Sequence, residues 1–212
     1  MNNITKGLAM RGNPAMIPDC GRDDLPQFFI EQGYKSGIEV GVYKGEFTKK
    51  FLDAGLKMTG VDPWTPYEDF DRKRVDRSKR QEFLLGHTQR YLAEYLENGQ
   101  CQLIRKPSMD AVKEFEDNSL DFVYIDGNHL FKYVADDMCE WWKKVKKGGV
   151  MCGHDYTDTE HLGRRWQLIQ AKFVVDAFTE ANHISNWYVL GAEKKKHNEI
   201  RDRWRSWMIR KA

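Results

Sequence analysis

Gly37-Ile38-Glu39-Val40-Gly41-Val42-Tyr43-Lys44-Gly45 is the stretch on which the reading of this chain turns. Ile38 and Val40 read as a short buried strand. Gly41 and Gly45 bracket a tight turn. The following Glu46-Phe47-Thr48-Lys49-Lys50-Phe51-Leu52 puts Phe47, Phe51 and Leu52 on one helical face. A strand that breaks at glycine and re-enters as a helix brings backbone N–H groups to the carboxyl edge of a sheet. Glycine also lets a ligand approach where a Cβ would block it. Glu39 is a carboxylate near the end of an apolar strand, so it should face an opening or a partner, because unpaired burial is costly.

The next strand, Lys57-Met58-Thr59-Gly60-Val61, ends in Asp62. An acidic residue about 20 positions beyond the glycine turn, closing the second strand, is placed to grip a ribose diol. The glycine spacing, Glu-x-Gly-x-x-x-Gly, is not that of the dinucleotide fingerprint, which argues against an NAD-dependent oxidoreductase. Pro63-Trp64-Thr65-Pro66-Tyr67 then makes a rigid loop at the same edge, where Trp64 and Tyr67 either stack on a ligand or cover the core.

With 212 residues, 41% of them hydrophobic and 31% charged, the chain can build one sizeable soluble core. A net charge of +2 favours no class of partner. Cys20, Cys101, Cys139 and Cys152 form no Cys-x-x-Cys pair. They read as reduced thiols of a cytoplasmic protein rather than a zinc or dithiol site. No apolar run has signal-peptide or bilayer-spanning length, so no membrane partner is expected.

Residues 1–36 read as an N-terminal segment, irregular apart from one helix near Leu25 to Gln32, ahead of a single domain spanning 37–212. Glu68 to Glu97 carries apolar residues at helical spacing and reads as one or two amphipathic helices. The charged run Arg72 to Arg80 alternates in sign and reads as a solvated face. Strands follow at Gln102 to Arg105, Leu120 to Ile125 and Val150 to Gly153. Helices follow at Asp110 to Phe115, at Lys132 to Val145 with Gly148-Gly149 as its stop, and at Gln167 to Ala181. Asn186 to Leu190 and Arg205 to Ile209 look like two final strands. Alternating strand and helix, with polar residues at each strand's carboxyl end, predicts an α/β doubly wound, mostly parallel sheet with its site along that edge.

Three strand ends present acidic or imidazole groups there: Asp62, Asp126 with His129, and His154 with Asp155. On adjacent parallel strands Asp126 and Asp155 lie close enough to share a divalent cation. Carboxylates plus waters suit Mg2+ or Mn2+, while an imidazole tilts the choice away from magnesium. His129, one short turn beyond Asp126, is a candidate general base. Structural roles compete with each reading: Asp126 as a helix cap, His154 as a hydrogen-bonded turn residue.

Ile-Glu-Val-Gly-Val-Tyr-Lys-Gly, Val-Asp-Pro-Trp, Tyr-Ile-Asp-Gly-Asn-His and Gly-Gly-Val-Met-Cys-Gly-His-Asp-Tyr occur in that order. Together, over roughly 37–178, they resemble the class I S-adenosylmethionine (SAM) dependent methyltransferases related to macrocin and other sugar O-methyltransferases and to cephalosporin hydroxylase. The resemblance implies a Rossmann-like seven-stranded sheet ending in an antiparallel hairpin, with SAM as methyl donor and a small-molecule or carbohydrate hydroxyl as acceptor. Gly41, Tyr43 and Gly45 would surround the donor's methionine part with Glu39 behind them, and Asp126 would be a further cofactor-binding residue. Asp62 would bind its ribose, and Pro63, Trp64, Ser108 and Met109 would flank its adenine. Metal-dependent relatives use an acid matching Asp126 and an acidic pair matching His154-Asp155. Histidine as the first of that pair departs from the pattern. Catechol-type relatives place a lysine base where His129 stands.

Two other classes compete. A nucleic-acid methyltransferase resembling this fold would carry an Asn/Asp-Pro-Pro-aromatic tetrad where this chain has Asp126-Gly127-Asn128-His129. The short run Lys194 to Lys196 argues only for weak, non-specific contact with nucleic acid. A module that binds SAM or a nucleotide without catalysis would not need His129 or Asp155. Whether the chain forms a homo-oligomer is open at this level.

Overall fold

The structure, a computed structural model, describes residues 2–66, 77–157, 169–194 and 197–212. Tyr67, the run from Arg72 to Asp76, Gln167, Lys195 and Lys196 lie outside the described residues.

The glycine-turn strand is β2 (Ser36–Val40), which pairs in parallel with β3 (Lys57–Val61) on one side and β5 (Leu120–Ile125) on the other. β4 (Cys101–Ile104) extends the sheet beyond β3, and β6 (Val145–Tyr156) extends it beyond β5, both in parallel. The C-terminal strand β8 (Arg205–Arg210) inserts antiparallel between β6 and β7 (Tyr188–Leu190). The mostly parallel Rossmann-like sheet with its antiparallel pair is therefore as expected, but it has eight strands rather than seven. The added strand, β1 (Ala15–Ile17), comes from the N-terminal segment and pairs in parallel with β7. Three residues are too short to show a period, although Ala15 and Ile17 are buried as a strand requires. The same segment also forms α1 (Asn3–Gly7) before α2 (Leu25–Glu31), so it is less irregular than its composition suggests.

Central strands buried on both faces explain the unbroken apolar runs. Along β5, Val123 and Ile125 join one core with Val134, Met138 and Trp141 of α7 (Phe131–Lys144) and Val174 and Phe178 of α8 (Ala171–Ala181). Phe122 and Tyr124 point the other way, into a core with Phe28 and Phe29 of α2 and Phe47 and Phe51 of α3 (Glu46–Asp53). Phe29 stacks on Phe122 with centroids 4.1 Å apart. The charged stretch before β4 supplies α4 (Arg77–Tyr91) and α5 (Ala93–Glu97), and α6 (Ser108–Ala111) follows β4.

Helix α6 starts at Ser108, where a loop was expected, α8 at Ala171 and β7 at Tyr188, and two further differences bear on the site. Gly148-Gly149 does not stop α7, which ends at Lys144, because Val145 is already extended at φ −66° and ψ 130°. Both glycines lie inside β6. That strand also runs past Gly153, so His154 and Asp155 are within it, where the pairing with β8 shifts register between Gly153 and Tyr156. Asp155 has φ +59°. An irregularity of this kind re-aims side chains at a sheet rim.

At the opposite, amino edge of the sheet, Asp121 ties three segments together. Its carboxylate accepts the N–H of Lys35 at 2.6 Å and of Ser36 at 3.0 Å, and pairs with the Lys146 ammonium. Burial opposes ionisation, but these partners outweigh it and hold Asp121 below the usual carboxylate range. Asp121→Ala should therefore lower unfolding stability by about 2–3 kcal/mol, the scale of orphaned donors facing a lost charge, measured by urea denaturation at pH 7. A depressed pKa contributes stability above about pH 4, lost as pH falls through the folded-state value. The gap between wild type and variant should shrink on acidification, and a constant gap would show that the Asp121 charge contributes nothing.

Candidate active site

Gly41 leaves β2 with φ +94°, and a Cβ there would lie 2.3 Å from the Asp126 carbonyl oxygen. Only glycine lets the exits of β2 and β5 run this close. The ladder continues past the strand ends: Gly41 N–H donates to Val61 at 2.9 Å, and Asp126 N–H donates to Val40 at 2.8 Å. Tyr43, at φ +53°, is held from three sides. Its N–H donates to Asp62 Oδ2 at 3.0 Å, and its carbonyl accepts from Trp64 Nε1 at 3.0 Å and from Thr88 Oγ1 at 2.7 Å. Gly45, also left-handed, then caps α3 without a side-chain hydrogen bond.

Asp62 Oδ1 accepts the Trp64 N–H at 2.7 Å, so each carboxylate oxygen braces the loop and keeps a lone pair for a further donor. Burial raises its pKa against the N–H groups of Tyr43 and Trp64. Pro63 is half-buried. Trp64 is turned inward into a small core with Val42 and Leu84, 1% exposed, and serves here to fix the Tyr43 carbonyl. Ser108 opens α6 and donates to Asp137, while accepting Trp141 Nε1 at 2.8 Å. Met109 packs against the core beside it. Burial pushes the Asp137 carboxyl up to about 7.

The ends of β5 and β6 bring Asp126, His129, His154 and Asp155 together. His129 Nε2 lies 2.9 Å from Asp155 Oδ2, and His154 Nδ1 lies 3.1 Å from Asp155 Oδ1. The second contact lacks hydrogen-bond alignment, so Asp155 Oδ1 is buried without a hydrogen-bond partner among the described residues. Asp126, His154 and Asp155 each offer one donor atom, all within 4.8 Å of one another. Burial raises the Asp126 pKa, with His154 and His129 opposing. Burial also works against Asp155, but the two histidines win and keep it a firm anion. For His129, burial disfavours the cation, yet Asp155 and Asp126 raise its pKa overall. A buried acceptor without a partner, beside two further ligand atoms, fits a small divalent cation.

Three contributors were not visible in the sequence reading. Arg22, from the N-terminal segment, reaches Asp126 Oδ2 at 3.4 Å. Thr88 holds the turn from α4, and Asp137 anchors Ser108. Arg22 sits in an aperiodic stretch with no signal to mark it; Thr88 and Asp137 look like ordinary helix residues.

A family model described as a methyltransferase domain matches residues 38–156. An uncharacterised protein, y4gI, of Sinorhizobium fredii is 30% identical over 84 residues, 40% of this chain, and the match spans 9% of that protein's length. Among solved structures, the O-methyltransferase NovP superposes with a TM-score of 0.61 at 18% identity, covering 90% of this chain and 78% of its own. An O-methyltransferase of Bacillus cereus in complex with SAH gives 0.56 at 11% identity, covering 90% and 80%. Spermidine synthase of Thermotoga maritima gives 0.52 at 13%, covering 90% and 58%. At such identities the likeness is one of fold.

Glu39 is 2% exposed and accepts the Thr48 hydroxyl. Burial first, then the nearby Asp126 charge, push its pKa up to about 8, against the Thr48 bond. An unfolded glutamate titrates near about 4.3. Between those values the unfolded chain has released a proton that the folded chain keeps, so stability falls as pH rises through the window. Glu39→Gln keeps the shape and removes the titration. Its urea midpoint relative to wild type should be higher at pH 8 than at pH 5. A difference that does not change with pH would mean that Glu39 is ionised in the folded chain.

Proposed function

The chain belongs to the methyltransferase domain family, and from that premise we propose that it is a SAM-dependent O-methyltransferase acting on a hydroxyl of a small-molecule or carbohydrate acceptor. One observation carries the reading: the 2.9 Å contact between His129 Nε2 and Asp155 Oδ2, beside Asp126 and next to the Gly41 turn. A binding module has no use for an oriented imidazole at this edge. The O-methyltransferases among the structural neighbours support the same choice of reaction.

Bound in the Gly41 to Gly45 turn, with Asp62 on its ribose, SAM supplies an electrophilic methyl group on a sulfonium. The protein's task is to align an acceptor hydroxyl with that carbon and remove its proton. Asp155, accepting from Nε2–H, fixes the His129 tautomer and leaves Nδ1 as the basic nitrogen; the imidazolium formed on proton uptake is stabilised by the same carboxylate. Asp126, His154 and Asp155 would hold a divalent ion, Mg2+ or Mn2+, which would lower the pKa of a bound hydroxyl. The free thiols, three of them buried, fit a cytoplasmic setting, and no described helix is long and apolar enough to cross a membrane.

Calorimetry should show binding of SAM and S-adenosylhomocysteine, weakened in Asp62→Ala by about 1–3 kcal/mol. Activity on a vicinal-diol or sugar acceptor should fall about 10²- to 10⁴-fold in His129→Ala while donor affinity holds; full activity would remove His129 as the base. Chelation with EDTA separates the two forms of the mechanism, since undiminished activity leaves His129 and Asp155 acting without a metal. Tight nucleic-acid binding that survives about 0.2 M salt would favour a nucleic-acid acceptor instead.

A further inference from the structure

The N-terminal segment delivers Arg22 to the carboxyl edge of the sheet, and the reaction outlined above makes no use of it. Its backbone is clamped by the segment that leads into β8. Arg22 N–H donates to Asp202 Oδ2 at 2.7 Å, in the approach to β8, and Gly21 N–H donates to Asp24 Oδ2 at 2.9 Å. A Cβ at position 21 would stand 2.9 Å from Asp202 Oδ1, so the segment lies hard against that carboxylate.

The side chain is placed with equal specificity. Its guanidinium lies 5.2 Å from the ring centroid of Phe47, in the first turn of α3. Its contact with Asp126 is a single one at 3.4 Å, rather than the bidentate fork of a closed ion pair. Most of its donors therefore stay open to a further acceptor. Tyr124, two residues before Asp126 on the same face of β5, is fully buried, and its hydroxyl has no hydrogen-bond partner among the described residues. The first turn of α3 lacks a side-chain cap, and a helix N-terminus favours an anion.

A guanidinium with spare donors, an aspartate beside it and an uncapped helix start thus surround the Gly41 turn. Phe47, Tyr124 and Asp126 belong to α3 and β5, which build that turn, whereas the His129–Asp155 contact lies toward β6. We propose that Arg22, oriented by its contact with Asp126, takes the carboxylate at the α-amino-acid end of the methyl donor, an assignment that rests on the SAM-dependent reading above. The N-terminal segment is then part of the donor site rather than a cover over it.

Calorimetry with S-adenosylhomocysteine and with 5′-methylthioadenosine, which lacks the amino-acid end, tests this without any turnover. Arg22→Gln should weaken S-adenosylhomocysteine about ten- to hundredfold, the scale of a lost charged hydrogen bond. It should leave methylthioadenosine within about twofold. Equal weakening of both ligands, or of neither, overturns the proposal. Decarboxylated SAM provides a check on the unaltered protein: it should bind more weakly than SAM, and that difference should vanish in Arg22→Gln. Wild-type protein that binds the two equally well also overturns it. Wild type that binds methylthioadenosine but shows no preference for S-adenosylhomocysteine sinks the Arg22 assignment and leaves the nucleoside site standing, whereas wild type that binds neither sinks both.

Discussion

The approach of Gly41 to the Asp126 carbonyl is the constraint on which the rest of the site depends. Two parallel strands leave the sheet side by side, and a side chain at position 41 would force them apart by colliding with backbone, which cannot rotate away. Because they stay together, the turn after β2 and the end of β5 share one small volume. Asp62 and Thr88 then hold the turn from β3 and α4 through the N–H and carbonyl of a single residue, Tyr43. Holding a left-handed residue that is not glycine needs such over-determination, since the conformation is unfavourable by about 1–3 kcal/mol. The turn is thus set before any ligand arrives, as a preorganised site requires.

How much of this was legible follows from range. The strand–turn–helix at Ile38 to Leu52 carries its own local signals, glycine spacing and helical period, and the structure reproduces it almost residue for residue. The convergence of Asp126, His154 and Asp155 was legible too, because parallel neighbours align their carboxyl ends whatever their side chains. What failed was local continuity against tertiary context. Gly148-Gly149 reads as a helix stop, but pairing of β6 with β5 and β8 recruits the glycines into a strand. The bend at Asp155 has no sequence signature, because it is imposed by the register shift against β8. Arg22 and β1 depend on contacts spanning more than a hundred residues, with Asp126 and with β7, and no window along the chain contains both partners.

The two edges of the sheet differ in how fully their polar groups are paired. At the amino edge Asp121 is satisfied by two backbone donors and an ammonium, so both of its oxygens are paired within the fold. At the carboxyl edge the accounting is left open: Asp155 Oδ1 and the Tyr124 hydroxyl are buried without hydrogen-bond partners among the described residues, and Arg22 spends one long contact on Asp126. Buried polar groups are normally paired. A cluster of exceptions at one rim marks the place where the molecule holds capacity for something else.

The same rim resolves a problem of charge. Asp126 and Asp155, so near each other, could not both ionise cheaply in an apolar wall. Their surroundings pull them apart instead. Two imidazoles face Asp155 and hold it ionised, while burial outweighs the histidines and Arg22 at Asp126 and makes its charge the easier one to lose. Carboxylates separated in this way can take different roles, one as a fixed orienting anion and the other as a group that answers to what binds beside it. Arg22 belongs on the second side of that division. Its single contact with Asp126 joins the more responsive carboxylate to the N-terminal segment, and through Asp202 to the approach to β8. An anion drawn to the guanidinium would therefore act on Asp126 first and reach His129 only through the charge of Asp126.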